Sequence, residues 1–396
     1  MRTTLENGHL TIFLEGRIDT SNAGDTEKYI DTEIAGKGVS ESDVTFDADE
    51  LEYISSAGLR VLMKLRKKAG VALDIVNVSR DVYDIFETTG FTDLLNVQRK
   101  MREISVDGCE IIGKGGNGTV YRLDDDKIVK VYVGQGLDIV KREQEHAKIA
   151  FVNGIPSIIP YDVVKVGDDY GTVFEMVRSD TLGHVLAKEP ERMMELVDEY
   201  VALAKSLHST HIEKGKIPDI RKIFHDRADR LDRWCSDEEI SILHDIVDKM
   251  PEADTVLHND LHPGNIMIQD GELVLIDLAE VTVGPKVFDL ASIFRDMVSG
   301  VRTNPELSEM TMGMPVDMIE KVGQLFFMKY TGIEPDGLKD YFDKLGLVYG
   351  LNVVLLCGAG IGETEKYAEG IMDRLLRGVL IPNKDAIPQM VAALSA

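Results

Sequence analysis

The most informative part of this sequence is His258-Asn259-Asp260-Leu261-His262-Pro263-Gly264-Asn265, with Ile276-Asp277 beyond it. An aspartate on such a loop can orient an attacking hydroxyl and accept its proton. A later asparagine, and an aspartate at the end of the next strand, can hold Mg2+ against the phosphates of a nucleotide. Asp260 is therefore the candidate catalytic base, and Asn265 and Asp277 are the candidate metal ligands. The spacing predicts a kinase.

A glycine-rich stretch upstream would supply the second half of such a site. Glu110-Ile111-Ile112 reads as a strand that runs into Gly113-Lys114-Gly115-Gly116-Asn117-Gly118-Thr119-Val120-Tyr121. Glycines let backbone N–H groups approach phosphates that a side chain would hold away, and Val120 on the returning strand would cover the base. The glycines expected to do so are Gly113, Gly115 and Gly118.

Lys127-Ile128-Val129-Lys130-Val131-Tyr132 alternates as a strand, with Lys130 on the face opposite its flanking valines. Lys130 can then reach the α- and β-phosphates. In the helical stretch that follows, Glu143 is the expected partner of Lys130, and Glu145 is the alternative. Thr172-Val173-Phe174-Glu175-Met176-Val177 reads as the strand that leads into the linker between two lobes, where backbone groups near Met176 would bond the adenine edge.

Each of these features alone is weak. A single G-x-G-x-x-G is common in turns, a lysine in a strand is usually a solvated edge residue, and His258 alone is more often a packed core histidine than a catalyst. Their order along the chain is specific, and it predicts a bilobal protein-kinase-like α+β fold. We expect a nucleotide-binding N-lobe at 104–177 and a mostly helical C-lobe at 178–396.

The departures from the protein-kinase pattern indicate a family. The loop reads His-Asn-Asp, no glycine follows Asp277, and Leu275-Ile276-Asp277 leads to Gly284-Pro285-Lys286-Val287-Phe288-Asp289-Leu290-Ala291. This resembles the aminoglycoside phosphotransferase and choline kinase-like family over about residues 104–385. In that family the loop typically reads His-Gly-Asp-Leu-His-Pro-Gly-Asn, so Asn259 replaces the usual glycine. Asp289 is interpreted as a buried carboxylate that braces the loop.

The resemblance implies ATP, Mg2+, Asp260 as base and a hydroxyl acceptor. It does not fix the acceptor, because members of the family act on antibiotics, amino alcohols and sugars, and looser relatives act on protein serines.

The first hundred residues predict a separate small α/β domain at 1–99. Leu10-Thr11-Ile12-Phe13-Leu14-Glu15-Gly16-Arg17-Ile18-Asp19 and Val44-Thr45-Phe46-Asp47-Ala48 read as strands. The stretch 51–62 opens a helix with an apolar stripe, and a further strand at 73–78 and a helix at 82–88 follow. Strands that alternate with helices predict an α/β layer.

This segment resembles the STAS domain, the fold of bacterial anti-sigma factor antagonists, over about residues 3–98. Glu15-Gly16-Arg17-Ile18-Asp19 and Ile54-Ser55-Ser56-Ala57-Gly58-Leu59 carry the resemblance. Regulatory members carry a phosphorylated serine at this helix start, usually directly after an aspartate. Ser56 occupies that position and is the candidate phosphorylation site, with Ser55 in place of the aspartate. The simpler interpretation is that Ser56 caps the helix.

The chain has 396 residues, with 44 Lys and Arg against 69 Asp and Glu, for a net charge of −25. Nucleic acid and anionic membranes are therefore poor partners, and a cationic or neutral acceptor suits the field better. The 3 cysteines show no disulfide or zinc spacing, and the N-terminus lacks the apolar core of a signal peptide. We expect a cytoplasmic protein. The apolar run from Gly346 to Gly362 is expected to be a buried helix of the C-lobe.

Two functions from different classes fit these features. In the first, the chain is a small-molecule phosphotransferase (aminoglycoside, amino alcohol or sugar-like acceptor) with a STAS domain for docking, regulation or dimerisation. In the second, it is a signalling kinase that phosphorylates its own Ser56 or a STAS serine of a protein partner. A nucleotide-binding scaffold is a third option, which the intact catalytic set disfavours. A small-molecule enzyme needs a closed acceptor pocket beside Asp260, lined with carboxylates if the acceptor is an amine. The acidic stretches Asp237-Glu238-Glu239 and Glu363-Thr364-Glu365 could contribute to it, although each is more typical of a solvated face.

Overall fold

The computed structural model describes residues 1–115, 118–359 and 362–396, and the side chains of 362–365 lie outside the described part. The chain divides into two compact units, Met1–Ile104 and Ser105–Ala396. Each unit has its own hydrophobic core, because a large cluster of buried apolar residues lies within each.

The first unit is a mixed sheet with helices between its strands. Strands β1 and β2 are antiparallel, whereas β2, β3, β4 and β5 follow one another in parallel, in the order β1-β2-β3-β4-β5. The elements are β1 (Arg2–Glu6), β2 (His9–Ile18), α1 (Ala23–Lys37), β3 (Val44–Ile54), α2 (Ser56–Ala69), β4 (Asp74–Val78), α3 (Arg80–Thr88) and β5 (Asn96–Arg99). A two-residue strand, β6 (Arg102–Glu103), ends the unit.

Helix α2 begins later than its sequence suggests. The stretch from Leu51 belongs to β3, which runs on to Ile54. Ser55 is the N-cap, and its Oγ accepts a hydrogen bond from the N–H of Ala57 at 3.2 Å. Ser56 is the first helical residue and is exposed, and its hydroxyl makes no hydrogen bond within the described part of the chain. The interpretation of Ser56 as the helix cap is therefore wrong, because Ser55 has that role.

This assignment separates two adjacent serines experimentally. We expect Ser55→Ala to destabilise the first unit by about 1 kcal/mol, since it removes the cap of α2, and Ser56→Ala to change its stability by less than about 0.5 kcal/mol. Hydrogen exchange of the α2 backbone amides in the full chain measures both. Equal effects of the two substitutions would show that Ser55 is not the cap.

The second unit begins with an antiparallel sheet and one helix. Along this sheet the strands lie in the order β10, β11, β9, β8, β7. Lys130 lies on β9 opposite Val120 on one neighbouring strand and Thr172 on the other. The elements are β7 (Ile111–Gly115), β8 (Gly118–Arg122), β9 (Lys127–Tyr132), α4 (Leu137–Val152), β10 (Pro160–Val166) and β11 (Asp169–Glu175).

The rest of the second unit is mostly helical, with short strands that carry the loop at 258–265. Strand β12 (Val256–Leu257) pairs with β15 (Thr282–Val283), and β13 (Ile266–Gln269) forms a hairpin with β14 (Glu272–Leu275). The helices are α5 (Leu182–Lys188), α6 (Met193–Leu207), α7 (Ile220–Ala228), α8 (Asp237–Asp248), α9 (Val287–Phe294), α10 (Pro305–Met312), α11 (Val316–Thr331), α12 (Leu338–Cys357), α13 (Gly362–Ile371) and α14 (Ile387–Ser395).

The apolar run that starts at Gly346 lies largely on α12, whose inner face is buried in the core. Within the described ranges, no helix combines the length and the apolar character needed to cross a bilayer. The predicted fold class, a small α/β domain followed by a kinase-like fold with a helical C-lobe, is confirmed.

Candidate active site

One buried carboxylate holds the loop at 258–265 in place through hydrogen bonds. Asp289, fully buried on α9, accepts hydrogen bonds from the backbone N–H of His258 at 2.9 Å and of Asn259 at 2.5 Å. Its Oδ2 also lies 3.0 Å from Nε2 of the buried His208. Asp289 therefore braces the loop, as interpreted from the sequence.

Two positions of the loop are fixed by backbone geometry. Asn259 has a φ of +66°, in the left-handed region that glycine and asparagine tolerate best. Its side chain donates to the carbonyl of Glu280 and to Oγ1 of Thr282, and these two hydrogen bonds hold the asparagine in this conformation. Gly264 is different, because a Cβ there would lie 2.0 Å from the carbonyl oxygen of Thr311.

Asp260 is held between cationic and amide donors. Its Oδ1 accepts from Nη2 of Arg295 at 3.0 Å, and its Oδ2 accepts from Nδ2 of Asn265 at 2.9 Å. Burial pushes the pKa of Asp260 upward, but the hydrogen bond from His262 and the positive charge of Arg295 lower it by more, so the pKa lies well below its usual range. Asp260 is thus ionised at any physiological pH. Arg295, which also binds Asp296 with two nitrogens, has no counterpart in the sequence motifs.

His262 is oriented by the same loop. Its Nδ1 accepts a hydrogen bond from the N–H of Gly264 at 3.1 Å, so the ring proton of the neutral imidazole sits on Nε2. Nε2 lies 3.4 Å from Oδ2 of Asp260. The tautomer is assigned from this bonding pattern, and it points a donor at the candidate base.

Lys130 joins the two halves of the site. Its Nζ lies 2.9 Å from Oε1 of Glu143 on α4 and 3.0 Å from Oδ1 of Asp277. Burial would lower the pKa of Lys130, but the two carboxylates outweigh burial and raise it. The pairing of Lys130 with Glu143 is confirmed, whereas Glu145 is exposed to solvent.

These groups line a cleft of about 330 Å3 between the sheet and the helical part of the second unit. The polar side of the cleft consists of Gly113, Lys130, Glu143, Glu175, Thr181, Asn265 and Asp277. Its apolar walls come from both lobes, in the form of Ile112, Val120, Ile128, Ile158, Phe174, Val177, Met267 and Ile276. An apolar slot with a few convergent polar groups is what a nucleotide base and its phosphates require.

The edge of the cleft differs from the sequence prediction in one detail. Met176 lines the cleft, but its N–H donates to the carbonyl of Asp126 at 2.9 Å. The N–H of Val177, also on the cleft wall, has no hydrogen-bond acceptor within the described ranges. Val177 is therefore the better candidate donor to an adenine ring.

The glycine loop is described only at its two arms. Gly118 has a φ of +152°, and a Cβ there would lie 2.3 Å from the carbonyl oxygen of Val131, so the returning strand needs glycine. A Cβ at Gly115 would meet nothing within 4 Å, so packing does not explain that glycine. Gly116 and Asn117, at the tip of the predicted phosphate loop, lie outside the described residues.

The candidate metal ligands have oxygen atoms to offer. Nδ2 of Asn265 is used by Asp260, and Oδ1 of Asp277 is used by Lys130. Oδ1 of Asn265 and Oδ2 of Asp277 contact no donor in the described part of the chain. Mg2+ prefers such oxygen ligands and usually takes only one or two from the protein. The described residues contain no group of three or more His, Cys, Asp or Glu that could hold a metal without further ligands.

A second, smaller pocket of about 250 Å3 lies beside Asp260, and we call it the acceptor pocket. Asp277 lines both the cleft and this pocket. The remaining walls come from α7, α12 and the segments next to the loop, and consist of Ile220, Ile223, Phe224, Arg227, Asn259, Asp260, Glu280, Thr282, Arg295, Asn352 and Leu356.

The acidic stretch at 237–239, proposed from the sequence as a contributor, does not line the acceptor pocket. Asp237, Glu238 and Glu239 form the first turn of α8, where Glu239 completes a capping box with Ser236. The side chains of Glu363, Thr364 and Glu365 lie outside the described residues. Arg227 and Arg295, which do line the pocket, were missed. The only signal for Arg227 was its helical spacing with Ile220, Ile223 and Phe224.

Comparison with known proteins assigns each unit to a family model. A model described as the phosphotransferase enzyme family matches residues 108–310, and a STAS domain model matches residues 1–104. The chain is similar to the putative anti-sigma factor antagonist BtrV of Bordetella bronchiseptica, at 33% identity over 103 residues, which cover 24% of this chain and 85% of that protein.

The second unit has more distant relatives. The chain is 23% identical over 188 residues to the protein LicA homolog of Mycoplasma capricolum subsp. capricolum, covering 46% of this chain and 69% of that protein. Among solved structures, the ADP-bound aminoglycoside phosphotransferase APH(2'')-Ib matches at 15% identity with a TM-score of 0.43, over 78% of this chain and 97% of that one.

Proposed function

Because the chain belongs to the phosphotransferase enzyme family and carries a STAS domain at its start, we propose that it transfers the γ-phosphate of ATP to a hydroxyl of a small molecule, with Mg2+ as cofactor. The observation that carries the proposal is the position of Asp277. It lies on the wall shared by the cleft and the acceptor pocket, next to the paired Lys130 on one side and near Asp260 on the other.

Each residue of the site has its own role in the proposed reaction. Lys130, held by Glu143, positions the α- and β-phosphates. Asn265 and Asp277 would hold Mg2+, which would neutralise charge on the phosphates. The acceptor oxygen forms a bond to the γ-phosphorus, and the bond from that phosphorus to the β–γ bridging oxygen breaks, leaving its electron pair on ADP. Asp260 orients the acceptor hydroxyl and takes its proton.

The size of the acceptor pocket supports a small acceptor. Its volume of about 250 Å3 falls below the range of roughly 300–1,000 Å3 typical of drug-sized ligands. A pocket of this volume can hold an acceptor the size of an amino alcohol or a single sugar. We propose that the STAS domain serves docking or regulation.

The proposal is tested by ADP release from the full chain with ATP, Mg2+ and a panel of small alcohols that includes sugars, amino alcohols, hydroxy acids and kanamycin. We expect one class to stimulate ADP release and to gain phosphate, in a reaction that Asp260→Ala abolishes. If no alcohol in the panel stimulates ADP release, the small-molecule assignment fails.

Arg295 should act as a positioning residue through Asp260. Arg295→Met removes one of the groups that lower the pKa of Asp260, so the base should become protonated at a higher pH. Since Asp260 must be ionised to accept a proton, activity is lost as pH falls through its pKa. We expect the acid limb of the kcat/KM profile to move toward neutral pH in Arg295→Met, and to move back in Arg295→Lys. Identical profiles for all three proteins would contradict this role.

A second candidate function is phosphorylation of a STAS serine. It is favoured by one observation, the exposed hydroxyl of Ser56 at the first position of α2, which has no hydrogen-bond partner in the described part of the chain. Because Ser55 is the cap, Ser56 is left for chemistry, and a phosphate there would be stabilised by the helix N-terminus.

Phosphopeptide mapping of the full chain after incubation with ATP and Mg2+ tests this alternative. Phosphate on Ser56 in the wild type, absent from both Asp260→Ala and Ser56→Ala, would support a signalling kinase. An unmodified Ser56, together with turnover of a small alcohol, would contradict the signalling kinase and support the small-molecule phosphotransferase.

A further inference from the structure

One face of α7 forms a wall of the acceptor pocket. Ile220, Ile223, Phe224 and Arg227 lie on it, spaced three and four residues apart. Three of these side chains are apolar, and Ile220 and Phe224 are buried. Arg227 therefore brings the only charged group of this wall into surroundings that solvate it poorly.

Two carboxylates of the pocket already have cationic partners. Asp260 binds Arg295 at 3.0 Å, and Asp277 binds Lys130 at 3.0 Å. Arg295 is in turn occupied, since its other contacts go to Asp296. An acceptor with an ammonium group would have to compete with these pairs for two of the three carboxylates that line the pocket.

Arg227 is in the opposite situation. Its side chain is 15% exposed, yet its guanidinium makes no hydrogen bond with any described residue. Its single ion-pair contact runs from Nη2 to Oε2 of Glu280 at 3.9 Å, and Glu280 is 60% exposed. Burial lowers the pKa of Arg227, and Glu280 offsets this only in part. A guanidinium has five N–H donors, and leaving buried donors without acceptors costs free energy.

Asn352 adds a second polar group without a partner. It lies on α12, a helix with an otherwise apolar pocket side, where it lines the acceptor pocket together with Leu356. Its side-chain amide makes no hydrogen bond within the described ranges. Asn352 thus offers both a donor and an acceptor to a molecule in the pocket.

We infer that the acceptor is a small alcohol that carries an oxyanion, either a carboxylate or a phosphate, and that Arg227 binds this oxyanion while Asn352 contacts the adjoining polar atoms. The inference rests on the proposed function for the meaning of the pocket. Arginine suits the role because its planar fork matches both oxyanions with two parallel hydrogen bonds.

The net charge of −25 had favoured a cationic or neutral acceptor. That charge is spread over the surface, where salt screens it within about 10 Å. A contact with Arg227 acts at hydrogen-bond distance in a partly buried pocket, where screening is weaker. The hydrogen-bond donors of Arg227 and Asn352 therefore have a stronger effect on which acceptor binds than the net charge of the protein has.

Binding to the full chain tests the inference. D-glycerate, glycerol 3-phosphate, glycerol and choline are titrated calorimetrically in the presence of Mg2+ and a non-hydrolysable ATP analogue, at matched ionic strength. We expect at least one of the two anions to bind saturably and more tightly than glycerol and choline. Comparison of D-glycerate with glycerol 3-phosphate tells whether the site binds a carboxylate or a phosphate more tightly.

The variants are Arg227→Met, Arg227→Lys and the control Arg230→Met, which removes an exposed arginine three residues further along. We expect anion binding to weaken about 10-fold or more in Arg227→Met, less in Arg227→Lys, and not in Arg230→Met. Because Arg227 makes no hydrogen bond in the described part, the melting temperature should not fall in Arg227→Met, and a clear fall would indicate a structural role instead.

Three results would overturn the inference: no saturable binding of either anion, equal or tighter binding of choline, or unchanged anion binding in Arg227→Met. Phosphorylation of the same probes is measured in parallel. Arg227-dependent anion binding without phosphorylation of any probe would count against the proposed function only. Phosphorylation of choline without binding of either anion would contradict the inference that the acceptor carries an oxyanion, but it would not contradict the proposed phosphotransferase function.

Discussion

Asp260→Asn should lower kcat about 10²- to 10⁴-fold while the Kd for ATP stays nearly unchanged. The asparagine keeps the shape of the side chain but cannot accept the proton of the acceptor hydroxyl. Nucleotide contacts are expected from Lys130, which binds Glu143 and Asp277, and from the glycine loop, whose described residues make no hydrogen bond with Asp260. Steady-state kinetics give kcat, and titration with a non-hydrolysable ATP analogue gives the affinity.

The matched control is Asp336→Asn, which changes an exposed aspartate away from the cleft and the acceptor pocket. It should leave both constants at the wild-type value. Turnover of Asp260→Asn close to that of the control would remove Asp260 from the mechanism.

Asp289→Ala should reduce the free energy of unfolding of the second unit by about 3–5 kcal/mol. The substitution leaves the N–H groups of His258 and Asn259 without an acceptor, and it also removes the partner of His208. Leaving buried polar groups unpaired costs more than the hydrogen bonds themselves contribute. Trp234 is the only tryptophan of the chain and lies in the second unit, so its fluorescence during denaturant unfolding reports on that unit.

Ser292→Ala on the same helix is the control. The hydroxyl of Ser292 is buried and has no hydrogen-bond partner among the residues that the structure describes. Its removal should therefore change the stability by less than about 1 kcal/mol. If both substitutions lowered stability equally, the cost would come from packing on α9 and not from the bracing of the loop.

The sequence predicted those parts of the site in which local periodicity places a side chain. Lys130 alternates with buried valines on β9, and Glu143 lies on the buried side of α4, so their contact follows from strand and helix patterns. The loop residues Asp260 and Asn265 were predicted because their spacing is dictated by the chemistry. The strand β10, which separates α4 from β11, was not predicted.

What the sequence did not predict depends on contacts between distant segments. Arg295 comes 35 positions after Asp260, with no pattern that links them. The N–H of Met176 is taken by Asp126, a contact across 50 positions that only the folded sheet creates. The choice between Ser55 and Ser56 as helix cap depended on where β3 ends, and element boundaries are the least certain part of a sequence pattern.

Because Lys130 lies between Glu143 and Asp277, the binding of Mg2+ and the binding of ATP should depend on each other. A divalent cation that approaches Asp277 must compete with an ammonium group already 3.0 Å away. The phosphates of ATP attract Lys130 and so relieve that competition. Mg2+ and ATP should therefore each raise the affinity of the protein for the other by the same factor, as thermodynamic linkage requires. The protein would then discriminate against free metal and free nucleotide and take up the metal–nucleotide complex as one substrate.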